Sequence, residues 1–120
     1  MTESFANPAI ISGYHAHLYY DPPTRPIAER LRAVIGDRFP QARIGNWHDE
    51  LVGPHPASMY QVAFAVEDFP QIVPWLMLNR GGLDVLVHPE TGNAYDDHTV
   101  HALWLGRPLD LRLDVLRRAS

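Results

Sequence analysis

The chain has 120 residues, is 46% hydrophobic and 20% charged, and carries a net charge of −4. Such a length and composition describe one ordinary globular domain, and with no basic cluster beyond Arg117-Arg118 nucleic-acid binding is not expected. Cysteine and lysine are both absent, which excludes disulfides, thiolate metal sites, thiol nucleophiles, Schiff bases and a P-loop.

Residues 1–12 read as a loose lead-in, and 13–120 as a single domain. The start, MTESFANPAIISG, has neither the charged opening nor the long apolar core of a signal peptide. No apolar run approaches the ~20 residues of a membrane span. A cytoplasmic location without membrane contact is the expectation.

Tyr14–Tyr20 alternates as a first strand and stops at Asp21-Pro22-Pro23. Alternate side chains of a strand share a face, so Ala16, Leu18 and Tyr20 form one set and His15, His17 and Tyr19 the other. Thr24 is placed to cap a helix in which Ile27, Leu31, Val34 and Ile35 recur at helical spacing; Gly36 and Phe39-Pro40 mark its end. Gln41–His48 predicts a second strand, Asp49–Ala57 a loop, and Ser58–Val66 a third strand. Asp68, with Gln71 three residues on, has the pattern of a capping box opening a second helix that Pro74 should kink and Asn79-Arg80-Gly81-Gly82 should end. Leu83–His88 predicts a fourth strand. A short helix is expected from near Asp97, and the strict alternation of Leu109–Val115 suggests a fifth strand, with a C-terminal helix as the competing reading.

The order β-α-β-β-α-β is the ferredoxin-like arrangement, an α+β fold with two helices on one face of an antiparallel sheet. If Ala16, Leu18 and Tyr20 meet the helices, His15, His17 and Tyr19 line the other face. That face would be solvated, covered by the tail, or closed by a second copy, and a homodimer is the expectation.

Seven histidines are many for this length. Alternate strand residues lie ~7 Å apart, so His15 and His17 can share one metal ion. Taken alone, the pair reads more simply as exposed or backbone-satisfied. In this fold, however, the fourth strand runs antiparallel beside the first, which brings His88 near His15. His55 lies in the rigid Gly-Pro-His-Pro loop and His98 follows Asp96-Asp97. His15, His17 and His88 are the expected primary ligands, with His55 and His98 next. His48 reads as a strand end near solvent, and His101 as structural, packed against Trp104. Without thiolates, an imidazole-rich site suits Fe(II), Zn, Cu or Ni. The four serines offer no Gly-x-Ser-x-Gly elbow.

YHAHLYYD (14–21), GPHPASMYQVAF (53–64), LDVLVHPETG (83–92) and DDHTVHALWLG (96–106) together resemble the DOPA 4,5-dioxygenase family. The resemblance implies a dimeric α+β barrel and extradiol cleavage of a catechol, DOPA being the name-giving substrate. It places the family's histidines at His15, His17, His55, His88 and His98. The implied partners are a catechol and O₂, and the implied cofactor is non-haem Fe(II), with Zn or Ni able to replace it in purified protein. His98 is the expected proton carrier, with Asp97 orienting its ring, although Asp97 alone reads as a helix cap. Arg80 is the expected clamp for a substrate carboxylate, although its local sequence favours a solvated charge. Tyr19 and Tyr60 are the expected substrate contacts, Tyr60 having packing as its simpler reading. The readings from other classes are a metal- or small-molecule-binding dimer without ring cleavage and a cofactor-free monooxygenase.

Overall fold

A computed structural model describes residues 4–119. Its strands are β1 (Tyr14–Tyr20), β2 (Arg43–Ile44), β3 (Ser58–Phe64), β4 (Val85–Pro89) and β5 (Leu103–Leu105). Its helices are α1 (Arg25–Arg38), α2 (Phe69–Asn79), α3 (Ala94–His98) and α4 (Leu113–Ala119). All strand pairs are antiparallel and the sheet order is β2-β3-β1-β4-β5. The first four strands keep the ferredoxin-like order, with β5 added outside β4.

Strand parity divides the molecule. Ala16, Leu18, Tyr20, Tyr60, Val62, Phe64, Val85 and Val87 pack against Ala28, Leu31 and Ile35 of α1 and Ile72, Val73 and Leu76 of α2. The alternate residues form the far face. Its second apolar cluster is Tyr19, Met59 and Leu86, flanked by Val52, Ala57, Trp104, Leu109 and Leu111. The tail therefore folds over the Tyr19 half of this face, tied by Arg112 N–H donating to Pro54 O at 2.8 Å. Only part of the far face is left open, so an uncovered sheet does not by itself require a second copy.

Several local expectations are corrected. The second strand is cut to two residues, because after Gly45 the chain leaves the ladder and returns only at the His48–Met59 bridge. The third strand ends at Phe64; Val66 lies in a 3₁₀ turn and is exposed. The added strand is Leu103–Leu105 rather than Leu109–Val115. There the alternation has another cause: Leu109 and Leu111 point onto the far-face cluster from an extended segment that then turns into α4. Thr24 does not cap α1, since its hydroxyl donates to the Asp21 carboxylate at 2.8 Å. Asp68 likewise leaves α2 uncapped and accepts from Gln41 Nε2 at 3.2 Å. Helix α2 continues past Pro74 to Asn79. Asn93, not Asp97, caps α3, its side chain accepting from Asp96 N–H at 3.0 Å.

Candidate metal centre

Four segments deliver five imidazoles to the far face. The β1 parity supplies His15 and His17, and the register of β1 on β4 sets His15 opposite His88. His55 comes from the 49–57 loop. That loop is held at one end by Asp49, which accepts from the Tyr20 hydroxyl at 2.6 Å and from Arg25 Nε at 3.1 Å, and at the other by the Arg112–Pro54 bond. His98 ends α3, whose capped start fixes the turn of helix that aims it.

The rings are in close contact. Centroids are 4.0 Å apart for His88–His98, 4.2 Å for His17–His55, 5.1 Å for His17–His88 and 5.2 Å for His15–His88. His17, His55 and His88 are buried, at 3%, 4% and 1% exposure, in a class of side chain that is seldom so enclosed.

Hydrogen bonding gives the cluster a direction. His88 Nδ1 lies 2.9 Å from Pro89 O, and His98 Nδ1 lies 2.7 Å from Ala94 O. A carbonyl only accepts, so each Nδ1 carries its proton and each Nε2 presents a lone pair. His15 Nδ1 lies 3.1 Å from Glu90 Oε1, and His55 Nδ1 lies 2.7 Å from the Tyr19 hydroxyl. Four rings thus commit Nδ1 to an oxygen outside the cluster, the arrangement that fixes tautomer and orientation in metal-bound histidines.

His17 is the exception and lies at the centre. Its Nε2 is 3.0 Å from His88 Nε2, and its buried Nδ1 has no partner among the described residues. Two three-histidine groups can each gather ligand atoms around one point: His15, His17 and His88, and His17, His55 and His98. His17 belongs to both.

Burial is the main force on these groups. It holds His17 well below the usual histidine value, followed by the neighbouring imidazoles, His55 first. Burial, then the charge of His98, brings His88 to about 4; burial, then His98 and His48, brings His55 to about 4. His15 is lowered by burial, then by His98 and Arg43. At neutral pH these imidazoles are uncharged, as metal ligation requires. Burial raises the Tyr19 phenol, so it stays protonated.

The donor set fits a divalent transition metal. Two nitrogens each ~2.1 Å from one ion and ~90° apart stand ~3.0 Å from each other, the His17–His88 spacing observed. Clustered lone pairs are what a cation would satisfy, and the all-nitrogen set suits Zn, Cu, Fe or Ni.

Of the expected site residues, the structure brings together His15, His17, His55, His88, His98 and Tyr19. It separates three others. Tyr60 lies in the helix-side core opposite Leu18, and its hydroxyl donates to Ala28 O at 3.0 Å. Arg80 closes the end of α2, with Nε donating to Leu83 O and Nη1 to Met77 O, both at 3.0 Å; its guanidinium braces a turn. Asp97 is buried, but it accepts from Thr91 N–H at 2.9 Å and the Thr91 hydroxyl at 2.6 Å, so Ala94 O rather than Asp97 orients His98. His101 is exposed in the turn after α3. His48, set aside on sequence, acts electrostatically on His55. Sequence reasoning missed Glu90, Gln61 and Arg43. Gln61 pairs with His17 across β1 and β3, and Arg43 pairs with Ala63, the partner of His15. Parity on the third strand points to Gln61; Arg43 needs the register.

Residues 14–115 match the Dopa 4,5-dioxygenase family. The chain belongs to the DOPA 4,5-dioxygenase family. It is 51% identical to, and superposes with a TM-score of 0.94 on, a Nostoc punctiforme protein of known crystal structure described as a candidate dioxygenase, covering 97% of this chain and 100% of that one. It is 36% identical over 130 residues to an uncharacterized 21.2 kDa protein of Botryotinia fuckeliana, spanning 97% of this chain and 71% of the relative. It is 37% identical over 62 residues to the DOPA 4,5-dioxygenase of Amanita muscaria, spanning 52% of this chain and 27% of that enzyme. Family and neighbours support an oxygenase acting on a small molecule with O₂. None of the described helices is long and apolar enough to cross a membrane.

Proposed function

We propose that this protein is an extradiol dioxygenase that opens a catechol ring with O₂ at a non-haem Fe(II) held by His15, His17 and His88. The observation that carries the reading is the buried imidazole cluster whose outer nitrogens are anchored and whose inner lone pairs converge. His15, His17 and His88 would hold the iron, which when bound would supply the redox and Lewis-acid chemistry that joins O₂ to a catechol ring.

The chain's own residues supply positioning and proton movement. Strand β1 and its partner β4 fix three ligands on rigid backbone, which loops do less well. His98 presents Nε2 to accept a catechol hydroxyl proton, while its Nδ1–H stays on Ala94 O. His55 is the second proton carrier, and the Tyr19 hydroxyl 2.7 Å from its Nδ1 returns or withdraws a proton from behind. The Tyr19, Met59 and Leu86 cluster, covered by Leu109 and Leu111, keeps water from that side of the centre.

Anaerobic purification with Fe(II), followed by metal analysis and oxygen uptake over a panel of catechols, tests the reading. The expected result is one iron per chain, O₂ consumption and a coloured ring-opened product. Iron without oxygen uptake would leave a metal-binding protein. Catechol oxidation without any metal would leave a cofactor-free monooxygenase.

A further inference from the structure

The sheet register places four side chains in a row on the far face: Arg43 opposite Ala63, Ala63 opposite His15, and His15 opposite His88. Directly opposed residues of antiparallel strands point the same way. Two strand spacings, ~10 Å, separate Arg43 from His15, and between them stands only the methyl group of Ala63. Beside this row, at the Tyr14–Phe64 end of the sheet, lies a cavity of about 460 Å³ whose lining includes His15, Arg43, Ala63 and Glu90. It adjoins the histidine cluster on the half of the face that the tail leaves open.

Arg43 differs from the other cations near the sheet, of which Arg32 stacks over Trp47 and Tyr60. Arg25 is paired with Asp49 and Glu29, Arg107 with Asp84, and Arg80 is bonded to carbonyls. Arg43 is exposed and has no ion pair or side-chain hydrogen bond among the described residues, yet its charge reaches His15. The other charged group in the cavity, Glu90, is engaged by His15 Nδ1 at 3.1 Å. The unsatisfied group facing the cavity is therefore a guanidinium, which recognises carboxylates by paired charge-assisted hydrogen bonds.

We propose that Arg43 determines substrate specificity by holding the side-chain carboxylate of an aromatic substrate in the cavity beside Ala63, while the ring's reacting end lies at the histidine cluster. The inference rests on the catechol reading for that second half. It assigns the contact to the substrate's carboxylate to Arg43, the role that Arg80 cannot fill.

The test compares wild type with Arg43→Gln and Arg43→Lys, using anaerobic calorimetry on Fe(II)-loaded protein with 3-(3,4-dihydroxyphenyl)propionate and 4-methylcatechol. Wild type should prefer the propionate. Arg43→Gln should lose that preference by roughly ten- to a hundred-fold, the value of a charge-assisted pair, and Arg43→Lys should recover part of it. A second arm needs no metal: 3-phenylpropionate titrated into the metal-free protein should shift the Ala63 methyl resonance in wild type and not in Arg43→Gln. If catechols turn over but Arg43→Gln keeps the preference, the subsite is wrong and the dioxygenase reading stands. If no catechol reacts but phenylpropionate binding depends on Arg43, the subsite stands and the reaction falls. Binding of neither probe to wild type overturns the proposal.

Discussion

The two faces of the sheet are built from the same strands and are opposites. Among the described residues the helix-side face holds seventeen buried apolar residues in one cluster, with the Tyr60 hydroxyl satisfied by Ala28 O and the guanidinium of Arg32, whose buried Nη1 has no hydrogen-bond partner, lying over the Trp47 and Tyr60 rings. The far face buries three imidazoles and leaves His17 Nδ1 without a partner. The far face thus gives to buried imidazoles the space that the helix side fills with apolar side chains. One residue of parity separates the side chains that hold the fold from those that carry the chemistry.

Breaking each face in turn should give opposite failures. His17→Ala combined with His88→Ala should abolish iron binding and lower turnover by about a thousand-fold or more, because the remaining groups cannot complete a three-nitrogen set. Circular dichroism should show a folded protein. Leu18→Ala, on the same strand facing the helices, should cost ~2–5 kcal/mol of stability while its folded fraction retains iron. Full iron occupancy in the double variant would erase the distinction.

Between pH 7 and pH 4.5 acid should act chiefly on the far face, because the carboxylates with lowered pKa values, Asp21 and Asp49, protonate only in stronger acid. His55 and His88 sit at about 4 when folded, against about 6.5 in the unfolded chain. Between these values the unfolded chain binds protons that the folded chain refuses. Stability from this source is therefore complete above about pH 6.5 and is lost as pH falls toward 4. Each histidine is worth roughly 3 kcal/mol at most. Denaturant midpoints of metal-free protein should fall steadily from pH 7 to pH 4.5, whereas iron-loaded protein should hold its midpoint to lower pH. A flat profile for the metal-free form would contradict the buried neutral cluster.

The two tyrosines sharpen the comparison at single-atom scale. Tyr19→Phe removes the hydroxyl 2.7 Å from His55 and should lower kcat about ten-fold, with a loss of ~1 kcal/mol in stability. Tyr60→Phe removes a hydroxyl on the helix side and should cost a similar ~1 kcal/mol with no change in KM for a catechol. A KM change in Tyr60→Phe would return that residue to the site.

The helix side was the more legible face. Alternation on β1, helical spacing in α1 and α2, and the glycine stop after Asn79 led directly to the sheet order and its two covering helices. What misled was local chemistry with a tertiary cause. Leu109–Val115 alternates because two leucines dock on Tyr19 and Leu86, not because a ladder forms. Thr24 and Asp68 have capping residue types but bond elsewhere. The histidines were legible because β1 parity and strand adjacency needed only topology. Arg43 was not, because its place follows from a two-residue strand whose register no local pattern reveals. Arg80 misled for the opposite reason: its sequence position before β4 is close to His88, but its guanidinium is consumed by the turn.

The central claim is that one ion sits among His15, His17 and His88, and anomalous scattering at the iron edge from anaerobically loaded crystals tests it most directly. The account predicts one iron peak ~2.0–2.2 Å from a ring nitrogen of each of the three, with His98 Nδ1 still on Ala94 O and His55 Nδ1 still on Tyr19. An iron peak bound instead by His55 and His98, with His15 free, or no peak at the cluster, would contradict it.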